Sequence, residues 1–239
     1  MCGRYTSTST AAQVAAFFAA EEVKTEELPL RYNVAPSQQV YAIAERRPRE
    51  EGEEPTRQLG SFRWGLVPSW AKDPSIGSRM INARMETLAK SNAFKRALAK
   101  RRCIIPADAF YEWQVREVEG KRRKAPYLIK HRDGSPLAFA GLWEVWHDAE
   151  DEPLRTCVII TTDANKLLAP IHDRMPVVLP PETWDEWLDP ANEDLSRLHK
   201  LLVPAAAKEF EAYEISTRVN NVRNEGPELI VPESDPHHR

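Results

Sequence analysis

The first residues able to do chemistry are Met1-Cys2-Gly3-Arg4. Methionine aminopeptidases remove Met1 when the next side chain is small, as Cys is. The product carries an α-amine and a thiol on adjacent carbons. An α-amine titrates near pKa ~8 and a thiol near ~8.5, so both keep an unprotonated fraction at neutral pH. Such an amine condenses with an aldehyde, and the thiol can then close a five-membered thiazolidine on the imine carbon. The competing reading of Cys2 is an ordinary buried cysteine at the start of a first strand.

Three further polar segments sit among apolar neighbours: Asn82-Ala83-Arg84 between Ile81 and Met85, Glu112 within Phe110-Tyr111-Glu112-Trp113, and His172-Asp173-Arg174 between Ile171 and Met175. On a strand, Glu112 is either solvent-facing or desolvated with a raised pKa, and a raised pKa suits a general acid at neutral pH. His172 fits a hydrogen-bonded structural residue or a proton-transfer group. Arg4, Arg84 and Arg174 would bind phosphates if they shared a face, and would otherwise be surface ion pairs.

These residues need elements to place them. A strand is expected at Cys2–Thr6 and a helix at Ala11–Ala20, capped by Thr10, with Val14, Phe17 and Phe18 on one face. The acidic run Glu21–Glu27 reads as a solvated loop. Arg31–Pro36 reads as an extended segment leading into a strand at Gln39–Ala44, and Glu45–Arg57 as an exposed loop. Leu59–Val67 reads as a strand, with Trp64 compatible with core or surface and Trp70 exposed on the loop behind Pro68. A helix is expected from Ile81 to about Lys100, burying Met85, Leu88, Phe94 and Leu98. Strands are expected at Cys103–Pro106 and Ala109–Val115, with Gly120–Lys124 as a hairpin tip. Pro126–Lys130 and Leu137–Trp146 read as a strand pair across Asp133-Gly134-Ser135. Arg155–Thr162 is β-prone and should be central. Short helices at Glu182–Leu188 and Glu193–Leu202 and a late strand at Glu209–Ile215 follow. Strands dominate without βαβ alternation, so the fold expected is α+β, mainly antiparallel sheets curled towards a barrel, with peripheral helices. One domain is expected over residues 1–231, with residues 232–239 as a disordered tail.

The 239 residues are 42% hydrophobic and 29% charged, an ordinary globular composition. There is no membrane-spanning apolar run and no signal-peptide pattern. Cys2, Cys103 and Cys157 show neither metal-ligand spacing nor a disulfide framework, which fits a reducing, cytoplasmic setting with no metal or cofactor. The net charge of −3 means that nucleic-acid binding would need a local basic patch.

Taken in order, Met1-Cys2-Gly3-Arg4, Tyr32–Pro36, Trp64-Gly65, Ile81–Arg84, Ala109–Trp113, Ile171–Pro176 and Asn221–Asn224 closely resemble the SRAP family of SOS response-associated peptidases, or abasic-site processing proteins. The resemblance spans Cys2 to about Ile230. It implies a monomer that binds single-stranded DNA carrying an abasic site and joins it through a thiazolidine at Cys2, after self-removal of Met1. Asn82 would orient Cys2 or the opened sugar, Glu112 would serve as acid and base, and His172 would assist proton transfer. Arg4, Arg84 and Arg174 would hold phosphates, Asn33 and Thr161 would line the pocket, and Trp70 with Pro68 would stack on or wedge against bases. Some relatives carry two adjacent tryptophans where this chain has Ser69-Trp70. The readings that compete are a thiol protease acting in trans with Cys2 and His172, and a non-enzymatic single-strand binding module.

Overall fold

The computed structural model describes residues 2–46 and 55–233. Its elements, in chain order, begin with β1 (Tyr5–Ser7), α1 (Ala11–Phe17), β2 (Glu22–Val23), β3 (Arg31–Val34), β4 (Gln39–Arg46) and β5 (Thr56–Trp64). Then come β6 (Asn82–Arg84), α2 (Lys95–Lys100), β7 (Arg102–Ala107), β8 (Ala109–Val118), β9 (Lys121–His131) and β10 (Leu137–His147). Last are β11 (Pro153–Asp163), β12 (Arg174–Pro176), α3 (Trp184–Leu188), α4 (Leu195–Lys200) and β13 (Phe210–Glu214). The result is the α+β, strand-dominated fold expected, with few and short helices.

Five strands close on themselves. β11, β10, β7, β4 and β5 pair antiparallel in that order, and β5 returns to β11 in parallel through Thr156↔Arg63 and Cys157↔Trp64. The barrel is therefore mixed, and closure removes its edges. A second sheet, ordered β13-β9-β8-β1-β3, packs on it. Tyr5 joins the two bodies, with its ring 5.2 Å from that of Trp64 and 6.0 Å from that of Phe139, while Phe110 meets Phe139 at 5.9 Å. Each such ring removed from water contributes roughly 1.5–3 kcal/mol, so this aromatic seam is a main tie between sheet and barrel. A separate core lies under the helices, where Val14, Leu88, Leu98, Trp187 and Leu198 cover Ile43, Leu59 and Ile160.

Several local expectations give way to tertiary contacts. The helix expected from Ile81 starts only at Lys95, because Asn82–Arg84 instead pairs in parallel with Ile159–Thr161. Leu88 and Leu98 still reach the core, with Met85 and Phe94 packed against it, but from separate short elements. The strands β9 and β10 do not form a hairpin. β9 pairs with β8 and β13, whereas β10 pairs with β7 and β11, so the Asp133-Gly134-Ser135 turn carries the chain from one sheet to the other. In α1, Val14 is buried but Phe17 is 41% exposed, because the helix ends there and Phe18 takes the inward place. Within the acidic run, Glu22 and Val23 pair with β5, and the Glu27 carboxylate accepts from the Ala11 N–H at 3.0 Å and the Tyr41 hydroxyl at 3.2 Å. Trp64 is fully buried. Of the expected exposed loop, Glu45, Arg46, Thr56 and Arg57 are strand residues, and residues 47–54 lie outside those described. Of the expected tail, Pro232 and Glu233 are bonded against the end of β13, and residues 234–239 lie outside those described.

The link between β5 and β6 is pinched at its base. Ideal Cβ atoms at Gly65 and Gly77 would each stand 2.6 Å from the other's carbonyl oxygen, and Gly65 has φ +128°. Only glycine permits that crossing. The segment between is held further by the Leu66 N–H to the Met80 carbonyl at 3.0 Å and the Val67 N–H to Thr156 Oγ1 at 2.9 Å. Gly77→Ala should therefore destabilise the protein by about 1–3 kcal/mol, the usual cost of overpacking. Urea unfolding should show a lowered midpoint with an unchanged slope.

Candidate active site

The N-terminal residues reach the site by extending the β1–β8 ladder. Thr6 faces Ala109 and Tyr5 faces Phe110, and the Tyr111 N–H donates to the Arg4 carbonyl at 3.0 Å. Continued by period, this register carries Cys2 and Gly3 alongside Glu112 and Trp113. On the other side stands β6, whose Asn82 donates from Nδ2 to the Cys2 carbonyl at 2.8 Å. The terminus is thus held between the second sheet and the barrel edge. Cys2 itself is fully buried. Burial raises its thiol pKa well above the usual range, and the neighbouring Glu112 carboxylate adds to the rise.

Glu112 is 2% exposed. Burial pushes its carboxyl pKa up, and nearby positive charge pulls it part of the way back. His172 follows a turn in which its N–H donates to the Leu168 carbonyl at 2.9 Å. Its Nδ1 accepts from the Arg174 N–H at 3.0 Å and also lies 2.9 Å from the Asp173 carboxylate. The two contacts hold the imidazole ring over its own segment. A second tie holds the His172 segment to β8, where Gln114 Nε2 donates to the Pro170 carbonyl at 2.8 Å. Cys2, Asn82, Glu112 and His172 are therefore gathered from four separate segments. Two surface cavities of about 580 and 610 Å³ lie elsewhere and include none of the four.

The remaining expected residues divide. Arg4 donates from Nη1 to Asn33 Oδ1 at 2.8 Å and to the Val219 carbonyl at 3.1 Å. Asn33 is fully buried, and its Nδ2 donates to the carbonyls of Val219, Asn221 and Asn224 at 3.1–3.2 Å. Both residues anchor the N-terminal strand to a late turn. The Asn221–Asn224 motif supplies these acceptors, a partnership its spacing from Asn33 does not disclose. Arg84 and Trp70 are exposed, the latter by 60%. Pro68 is buried; its carbonyl accepts from the Ala71 N–H at 2.9 Å and so turns Trp70 outward. Thr161 is fully buried on β11. Arg174 is 7% exposed. Its guanidinium meets Glu86 at 2.6 and 3.0 Å, Asp163 at 2.6 Å and the Thr161 carbonyl at 2.8 Å. A phosphate at Arg174 would have to displace those carboxylates. Glu86, two residues beyond Arg84, is the partner that sequence reading missed.

A comparison with known families decides where the chain belongs. The family model described as SOS response associated peptidase (SRAP) matches residues 1–222. The chain belongs to the SRAP family. Among its relatives, the "Abasic site processing protein YoqW" of Bacillus subtilis is 46% identical over 96% of this chain and 99% of its own. The "Abasic site processing protein YedK" of Escherichia coli is 33% identical over 97% of this chain and 100% of its own. A crystal structure of a protein from Bacteroides thetaiotaomicron superposes with a TM-score of 0.80 at 26% identity, covering 97% of this chain and 99% of that one. The SRAP match thus covers all four gathered residues.

The raised Glu112 pKa has a consequence for stability. The folded state binds this proton more tightly than the unfolded chain does. Folding is therefore unhindered by Glu112 below the unfolded pKa of about 4.3 and increasingly opposed as pH rises through the folded value. Glu112→Gln should raise Tm at pH 7, and the gain should vanish at about pH 4. A thermal-melt series across that range, comparing the variant with the wild type, checks the sign.

Proposed function

We propose that this SRAP chain processes abasic sites in single-stranded DNA by joining them covalently to Cys2. The observation that carries the reading is the Asn82 bond to the Cys2 carbonyl, which fixes the N-terminal cysteine beside a buried carboxyl of raised pKa. The names of the relatives support the substrate class.

In this reading Met1 is removed first, with Cys2 and Glu112 taking part. The Cys2 amine then adds to the C1′ aldehyde of the opened sugar. The carbinolamine loses one water to give an imine, and the thiol adds to the imine carbon while its proton passes to nitrogen. A carboxyl whose pKa burial raises is better suited than an exposed one to deliver the proton that the ring oxygen needs on opening and that the departing hydroxyl needs on dehydration. His172 assists the transfer. Asn82 orients the terminus. Exposed Arg84 and Trp70, with half-buried Arg4, meet phosphate and base, and Arg174 acts on the strand only by exchanging its present partners.

The thiol's raised pKa favours this order of events. Little thiolate exists at neutral pH, so an initial attack by sulfur is disfavoured and the amine leads. The same fact weighs against a thiol protease acting in trans, which needs the thiolate at the outset.

Incubating the protein with abasic single-stranded DNA should yield an adduct that survives boiling in detergent. An uncleavable extension before Cys2 should abolish it, since an amide nitrogen cannot form an imine; normal yield from the extended protein sinks the thiazolidine route. Glu112→Gln should slow formation and reversal alike by about 10²–10⁴-fold, the range for general acid–base steps. Time courses in both directions measure this, and equal rates for variant and wild type remove Glu112 from the mechanism.

A further inference from the structure

The hairpin of β8 and β9 starts at the site and leaves the body of the protein. β1 pairs with β8 only at Ala109 and Phe110, and β13 pairs with β9 only from Tyr127 to His131. Among the described residues no other strand pairs with Trp113–Val118 or Lys121–Ala125. Both edges of the two-stranded ribbon are therefore open. Its turn has Glu119 at φ 52° and Gly120 at φ 71°, the twist-matched two-residue form that keeps a ribbon in register.

The ribbon carries charge that the fold does not use. Residues 116–124 hold five cations against two carboxylates, in a chain whose net charge is −3. Arg116 is engaged by Glu214 at 2.8 Å and lies over the Tyr127 ring. Lys121, Arg122, Arg123 and Lys124 are exposed, and none has an ion pair among the described residues. Arg116 stands directly opposite Arg123, a pairing that costs rather than adds stability. The direction of the charge is equally defined. The cross-strand pairs Glu112↔Tyr127, Gln114↔Ala125, Arg116↔Arg123 and Val118↔Lys121 alternate with period two, so they share one face. The face that presents Glu112 thus runs outward through Gln114 and Arg123 to Lys121, a track of roughly 20 Å at about 3.4 Å per residue.

We propose that this ribbon is a second DNA-binding arm, in which Lys121 and Arg123 on the Glu112 face, with the long side chains of Arg122 and Lys124 reaching round from the other face, grip backbone phosphates of the strand flanking the lesion held at Cys2. The proposal rests on the abasic-DNA reading above. Phosphate contacts position a strand without reading sequence, and long, flexible cations on an exposed ribbon are suited to that. Val118, 41% exposed on the same face as Lys121 and Arg123, offers apolar contact to sugars and base faces.

The test is a variant with Lys121, Arg122, Arg123 and Lys124 all changed to Gln, beside a control that removes as many charges elsewhere by changing Lys95, Arg96, Lys100 and Lys200 to Gln. Binding is measured with fluorescent single strands carrying one abasic site, with flanks either long or too short to reach the ribbon, over a salt series. For long flanks the ribbon variant should bind about ten-fold more weakly at low salt, with the log–log salt slope reduced by about two to three, as loss of three to four phosphate contacts on a single strand requires. Short-flank binding, Tm and adduct yield at saturating DNA should match the wild type. Long-flank binding equal to wild type, or an equal loss in the control, overturns the arm. Absence of any adduct from the wild type instead overturns the abasic-site reading, while the salt slopes on undamaged long strands still report on the ribbon.

Discussion

One edge of β11 is shared by two strands, and the rest of the molecule follows from that. Thr156 and Cys157 take β5 in parallel and close the barrel; Ile159 to Thr161 then take β6 in parallel and set Asn82 in place. Because both partners run in the same direction along the same edge, the chain between them must leave the sheet and come back. It does so as the pinched segment based on Gly65 and Gly77, with Trp70 at its outer side. Barrel closure, the anchoring of the N-terminal cysteine and the presentation of an aromatic surface are thus three results of one strand-pairing choice.

Charge is arranged in two contrasting ways around the site. Glu112 is buried where its ionised form is disfavoured. Arg174, equally close to the interior, is surrounded by Glu86, Asp163 and a backbone carbonyl, so its charge is fully answered within the fold. A buried cation with two carboxylate partners gives geometry and little reactivity, whereas a buried carboxyl whose pKa is raised is suited to proton transfer. Arg102 carries the first arrangement further. It is buried and donates to the carbonyls of Leu98, Ala99, Trp187, Asp189 and Asn192, and so joins the ends of α2 and α3.

How much of this the sequence discloses depends on the range of the interaction concerned. The turn between β8 and β9 and the centrality of β11 are written in turn residues and β-prone composition, and they are legible; the burial of Glu112 is not, since Tyr111 beside it is buried too and no alternation marks it. The gathering of Cys2, Asn82, Glu112 and His172 is legible only through the ordered motifs, since no periodicity links positions so far apart. The helix expected at Ile81 has the right apolar spacing, yet an open strand edge outcompetes it; spacing records which residues want burial, not which partner will bury them. The placement of β9 and β10 in different sheets fails for the same reason. Pro68, Thr161 and Arg174 resemble surface groups by type, and it is their tertiary neighbours that turn them inward.

The contacts of Asn33 also order events in time. Arg4 and Asn33 are fixed only when the carbonyls of Val219, Asn221 and Asn224 are present to receive their protons. A ribosome releases those acceptors long after it releases Cys2. Throughout most of synthesis Arg4 and Asn33 therefore lack the partners that seat them in the finished fold. The wall that holds the N-terminal strand is thus completed last, by residues from the far end of the chain, so the place of Cys2 is settled only after Val219 to Asn224 have been made.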